Sequence, residues 1–186
     1  MKRCSWVKED SEIYRNYHDF EWGEPLKDDR ALFELFSLET QAAGLSWLTI
    51  LQKREAYRKL FLNFEIEKVA NFTNEEILKI KENKNIVRNL PKLNAIVHNA
   101  KLFLKIKEEF GGISKYFWTF VENSPIINSV SSYKEHITTS PISDKITKDL
   151  KKRGFKFVGS ITIYAFMQAC GMVDDHENSC HKKSFH

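Results

Sequence analysis

The chain has little with which to staple or anchor itself. Among its 186 residues there are three cysteines, Cys4, Cys170 and Cys180, too few and too odd in number for a disulfide framework. The opening stretch MKRCSWVKEDSEIY lacks the apolar core of a secretory signal. No hydrophobic run approaches the length of a membrane span. The expectation is a soluble protein of a reducing compartment, the cytoplasm of a bacterium-like cell, with no membrane partner. Sustained two-residue alternation is also missing, which argues against strands. There is no internal repeat and no low-complexity tract, and nothing resembles a P-loop or a dinucleotide fingerprint.

What is present is aromatic and helical. Hydrophobic residues make up 42%, with 14 Phe, 6 Tyr and 4 Trp, enough for a core without staples. The net charge of +4 permits a nucleic-acid partner without demanding one. DDRALFELFSLETQAAG reads as a helix capped by Asp28, with an apolar stripe of Leu32, Leu35, Phe36 and Ala43. SWLTILQKREAYRKLF follows with Ser46 as cap. TNEEILKIKE opens on a capping box, Thr73 to Glu76. PKLNAIVHNAKLFLKIKEEFGG starts at Pro91 and stops at Gly111 and Gly112. ISKYFWTFV is a short amphipathic piece. SDKITKDLKKRG is capped by Ser143, and SITIYAFMQACG closes the series at Gly171. The fold class is all-α, as one domain over residues 1–186, and the polar 122–142 loop is the one candidate sub-domain boundary.

Four constellations carry chemistry. His176 and Cys180 stand four residues apart, a spacing zinc accepts, and Cys4 and His18 offer the rest of a Cys₂His₂ set from the other chain end. His181 and His186 compete as ligands. The plain alternative is a buried hydrophobic Cys4 and surface histidines. Glu39 falls inside the apolar stripe of its helix, where a carboxylate is costly unless partnered. It is either satisfied structurally or lines a pocket, with Trp47 starting the next helix near the mouth. YRNYHDFEWG packs Tyr14, Tyr17, His18, Phe20 and Trp22 into one stretch, as core or as a stacking surface for a planar ligand. In KKRGFKFVGSITIYAF a basic helix end meets a turn and a new helix at Ser160. That N-terminus can hold a phosphate, with Lys151, Lys152, Arg153 and Lys156 nearby, or the lysines are simply solvated.

The motifs RCSWV, YHDFEWG, LETQAAGLSW, KKRGFKFVGSITIYAFMQACG and DH with a later Cys occur in one order along nearly the whole chain. Together they resemble bacterial 3-methyladenine DNA glycosylase type I. The resemblance implies a helix-hairpin-helix glycosylase fold of two packed helical lobes. It implies one structural zinc on Cys4, His18, His176 and Cys180, clipping the chain ends together beside the pocket. It implies a monofunctional hydrolase that flips 3-methyladenine out of double-stranded DNA, acts as a monomer, and releases the free base. In that reading Glu39 is the catalytic pocket carboxylate, and Tyr17, Trp47, Trp6, Tyr14 and Trp22 bind the base. Leu45 fills the gap in the duplex, and Lys156, Gly159 and Ser160 meet the DNA backbone. Asp174 and Asp175 lie where related glycosylases keep a water-activating Asp, a role this family is expected to do without. Thr40 and Phe20 depart from the family pattern, where Gly and a polar residue are usual, and bear on pocket shape.

Overall fold

In the computed structural model, which describes residues 1–183, nine α-helices and one two-residue strand pair surround a core of phenylalanines. α1 (Glu12–Phe20) and α2 (Asp29–Ala42) come first, then α3 (Trp47–Leu60), α4 (Ile66–Ala70) and α5 (Asn74–Lys81). α6 (Leu90–Phe110), α7 (Ile113–Trp118), α8 (Pro141–Lys152) and α9 (Ser160–Ala169) follow. None of the described helices is long and apolar enough to cross a membrane.

α2 is the hub, touching α3, α6, α7 and α9. The Asp28 carboxylate accepts from the Ala31 N–H at 2.8 Å and starts the helix. Its far end is closed by a cation. Lys92 of α6, itself buried, donates to the Gln41 and Ala43 carbonyls at 2.9 and 2.6 Å. A positive charge there complements the helix dipole and satisfies orphan carbonyls. Around α2, Phe36 packs edge-on to Phe103 at 4.9 Å, Phe103 to Phe155 at 4.8 Å, and Phe117 lies 4.8 Å from Phe166. Each such buried ring contributes roughly 1.5–3 kcal/mol from area alone.

Several sequence expectations are corrected here. The stripe drawn on α2 is too narrow: residues 36–41 are buried on every side, and Ala43 is exposed beyond the helix end. α8 is capped by Ser140, not Ser143. Pro141 fixes N1, and Ser143 is the N3 partner of a reciprocal box. The aromatic YRNYHDF segment is a helix, α1, that buries Tyr17 and His18. The expected absence of strands also fails. β1 (Ile126–Ile127) pairs in parallel with β2 (Val173–Asp174), and Val130 bridges Glu177. Two residues are too short for alternation to register. The pairing straps the 122–140 segment to the chain's C-terminal end.

α9 ends at Gly171 in a left-handed turn, φ +72°, against the 24–26 segment. A Cβ there would stand 2.5 Å from the Glu24 carbonyl carbon. Backbone cannot yield as a flexible side chain does. Gly171→Ala is therefore expected to destabilise the protein by about 2–4 kcal/mol, the sum of left-handed strain and overpacking, read as a lowered urea midpoint.

Candidate functional site

A cleft of about 410 Å³ opens where α1, α2, α3 and α9 meet. Tyr17 and Trp47 share one wall, their rings in tilted contact at 51° with centroids 5.6 Å apart. Trp6 stands edge-on to Tyr14 at 5.4 Å and to Trp22 at 5.1 Å, forming another wall. All five aromatic residues singled out in the sequence line this one space, as do Glu39 and Leu45. The sequence reading missed other parts of the lining. Tyr133 and His136 arrive from the 122–140 segment; Ile161, Thr162, Ala165 and Gln168 form one face of α9. The spacing of the last four is helical, a signal available in the sequence. Nothing in the sequence tells which face of α9 meets Glu39.

Glu39 is 7% exposed and has no hydrogen-bond or ion-pair partner among the described residues. The other buried acids are satisfied. Glu34 takes Arg58 at 2.7 Å and Arg30 at 3.2 Å. Asp175 takes the Tyr164 hydroxyl and the Gln168 and Asn128 amides. Asp174 accepts from the backbone N–H of His176 at 3.0 Å and meets its Nδ1 at 2.9 Å. Both aspartates are thus committed to the framework, and neither lines the cleft. Thr40 is buried and turns its hydroxyl to the Ser37 carbonyl, and Phe20 projects into a separate surface hollow. Neither departure from the family pattern touches the cleft.

Behind the Trp6 and Trp22 wall the two chain ends meet. Ligand atoms of Cys4, His18 and Cys180, all buried, lie within 4.8 Å of one another. His18 Nε2 is 3.4 Å from Cys180 Sγ, and backbone N–H groups of Glu177 and Lys182 point at the two sulfurs. His176 stands outside that group of three but against it, its ring 5.3 Å from that of His18. Its Nε2 is buried without a partner. Gly23 makes room for it: a Cβ would fall 2.5 Å from His176 Cε1. His181 is differently engaged, facing the Lys2 carbonyl and Asp19 from an exposed position. His186 lies outside the described residues.

On the far rim, the 153–159 turn joins α8 to α9. Asn99 clamps it, donating to the Lys156 carbonyl at 3.1 Å and accepting its N–H at 2.9 Å. Lys156 itself is exposed. Gly159 is the N-cap of α9 and supplies no side-chain cap. The Ser160 hydroxyl is turned to Ser143 at 2.7 Å, so only its backbone faces outward. Arg153 is unavailable to a phosphate, being paired with Asp149 and Glu109 and laid over the Phe110 and Tyr116 rings. Leu45, 45% exposed, and Ile161, 64% exposed, stand at the mouth.

Fold and site together define a helical protein with an aromatic-walled cleft that holds one unpartnered acid, Glu39. The comparisons name the family. The model for methyladenine glycosylase matches residues 6–183, and the chain belongs to that family. It is 47% identical over 178 residues to the DNA-3-methyladenine glycosylase of Haemophilus influenzae, covering 96% of each chain. It is 43% identical to DNA-3-methyladenine glycosylase 1 of Escherichia coli, over 97% of this chain and 96% of that one. The crystal structure of a 3-methyladenine DNA glycosylase I superposes with a TM-score of 0.95 at 43% identity, covering 98% of this chain and all of the other. The enzyme from Staphylococcus aureus, solved to explain recognition of 3-methyladenine, matches with a TM-score of 0.95 at 43% identity, over 100% of this chain and 98% of that one.

Burial alone pushes the Glu39 carboxyl up to about 8 from 4.5. The folded protein therefore holds a proton that the unfolded chain has already released. Stability falls as pH rises through that window and the full penalty is present above about 8. Removing the ionisable group removes the penalty. Glu39→Gln is expected to match wild type near pH 4 and to exceed it by a few kcal/mol, in order of magnitude, near pH 9, as followed by denaturant unfolding at both ends.

Proposed function

We propose that this protein is a DNA-3-methyladenine glycosylase, hydrolysing the bond between the damaged base and its sugar in duplex DNA. The observation that carries the reading is Glu39: a buried, unpartnered carboxyl group facing a cleft walled by six Trp and Tyr side chains. A DNA-binding module without catalysis has no use for such a group. Relatives solved with 3-methyladenine bound, and as a glutamate-to-glutamine variant, support the same assignment.

The chemistry suits the site. Methylation at N3 leaves the nucleoside base positively charged, so the bond from C1′ to the ring nitrogen is already weak. When it breaks, the electron pair goes to the base, which departs neutral. Water then adds to C1′ and gives its proton to solvent, leaving an abasic site. Electron-rich faces of Tyr17 and Trp47 attract the cationic ring, with Trp6, Tyr14 and Trp22 completing the wall. The incoming cation also favours the ionised form of Glu39, which then accepts from the donor edge of adenine. No strong general acid is needed. No lysine lines the cleft, and Ile161 occupies the rim just after the turn. The base is therefore released without Schiff-base chemistry on the strand.

The α8–turn–α9 unit is read as a helix-hairpin-helix. Its turn is pinned by Asn99, and the uncapped N-terminus of α9 offers free N–H groups to a phosphate beside Lys156, Gly159 and Ser160. Leu45, on the loop that Lys92 holds at the end of α2, is the wedge that fills the vacated stack.

One structural zinc is proposed on Cys4, His18, His176 and Cys180. Support comes from the unpartnered Nε2 of His176 and from the N–H groups aimed at both sulfurs. Asp19 and Asp174 hold the opposite nitrogens of His18 and His176, the arrangement metal-bound histidines require. Four protein ligands leave no open position for a reactive water, so the metal would supply cohesion and no chemistry.

Two measurements test these readings. Glu39→Gln should slow release of 3-methyladenine from alkylated duplex DNA by about 10- to 150-fold, the worth of one charge-assisted hydrogen bond, while the abasic strand stays uncut. Wild-type release by the variant would make the carboxylate merely structural. Elemental analysis of protein never exposed to chelator should find close to one zinc per chain, and Cys4→Ser should lower both metal content and melting temperature. Metal-free protein of full stability would remove the zinc from the account.

A further inference from the structure

A side-chain amide also faces the cleft, and the mechanism above leaves it idle. Gln168 lies on the face of α9 that also carries Thr162 and Ala165 to the lining. Its Nε2 donates to Asp175 Oδ2 at 2.7 Å. The same carboxylate accepts the Tyr164 hydroxyl at 2.8 Å and the Asn128 amide at 2.7 Å, and it is 1% exposed. An ionised carboxylate only accepts. If the Gln168 amide turned over, its carbonyl would face an acceptor oxygen already fixed by its other donors. The amide orientation is thereby locked. Oε1 points away from Asp175 and has no partner among the described residues.

We infer that Gln168 is a specificity-determining residue of this cleft. Its carbonyl oxygen, locked by Asp175, accepts from an exocyclic amine on the flipped base and rejects a ring bearing an oxo group there. The inference rests on the methyladenine reading and extends it. Adenine's amine has two N–H donors, and Glu39 and Gln168 are two side chains of the cleft whose oxygens have no partner among the described residues. A 6-oxopurine such as 3-methylguanine brings an acceptor to the same place. Oxygen would then face oxygen once the base fills the cleft, and a desolvated group without a partner is costly. Discrimination by an unmet hydrogen bond is far stronger than discrimination by fit. Asp175 acts through Gln168 and is a positioning residue.

The test is release of 3-methyladenine and 3-methylguanine from one sample of methylated duplex DNA, resolved by chromatography. Wild type is expected to favour the adenine product. Gln168→Met fills the same space without an acceptor and should lose about tenfold of that preference. Gln168→Glu should retain most of it, since a protonated carboxyl can donate to Asp175 and still present a carbonyl. Rates that fall equally for both bases, with the ratio unchanged, would make Gln168 structural and overturn the inference. Should Gln168→Met fail to fold, Asp175→Asn serves instead. Its amide can donate to Oε1 and let the Gln168 amide turn over, so the same loss of preference is expected and an unchanged ratio overturns the idea. A wild-type protein that releases no 3-methyladenine would overturn the methyladenine reading itself.

Discussion

The cleft depends on the meeting of the two chain ends. Trp6 belongs to the first turn of the chain, and it is held by edge contact with His18 at 5.4 Å. Trp22 is held by edge contact with His176 at 4.6 Å. Two rings of one wall therefore lean on imidazoles at the donor cluster. Bringing residue 4 to residue 180 closes nearly the whole chain into one loop, and the entropy of that closure must be offset. A second apolar cluster contributes, with Val7, Leu51 and Ala169 around the same point. It is small beside the phenylalanine core. Coordination by the proposed zinc would be the stronger tether, because ligand–metal bonds form only when both ends are present.

Rigidity elsewhere serves one deliberate defect. The core around α2 is stacked Phe on Phe, and Lys92 seals the helix end from beneath. Against that frame Glu39 stands buried and unsatisfied. A polar group in such a position is tolerated only when the surrounding structure cannot relax around it. On the proposed function that cost in the free protein would become affinity for a cationic ring, which would bring both the missing charge and the missing donors. Stability and recognition are thus opposed at this residue.

The sequence showed most helices because their termini are marked chemically. Asp28, Ser46, Thr73 and Gly111 each stop or start a helix where expected. It showed the α1 stretch only as a cluster of aromatics, and it misread Ser143, because two serines three apart form a reciprocal box and Pro141 decides which is the cap. Residues of the cleft were legible as an excess of aromatics in short motifs, and their roles came from resemblance. Tyr133, His136, Gln168 and Lys92 were not legible. Each reaches its place through a tertiary contact: the two-residue strand pair, the Asp175 carboxylate or the packing of α6 on α2. No local pattern reports such contacts.

The placement of acids explains why so little catalytic machinery is needed. Asp174 and Asp175 sit close behind the cleft, where an activating carboxylate would be useful. Instead Asp174 orients His176, and Asp175 gathers Tyr164, Gln168 and Asn128. Using either to activate water would loosen a chain end or free the amide that faces the base. A neutral base leaving a positively charged state needs no proton from the protein, and the sugar cation it leaves behind reacts readily with water. What the site must supply is extraction of the base and discrimination against undamaged ones. An uncharged adenine gains less from the aromatic faces and cannot draw Glu39 into its ionised form. The bond that the enzyme breaks is thus selected by the same charge that weakens it.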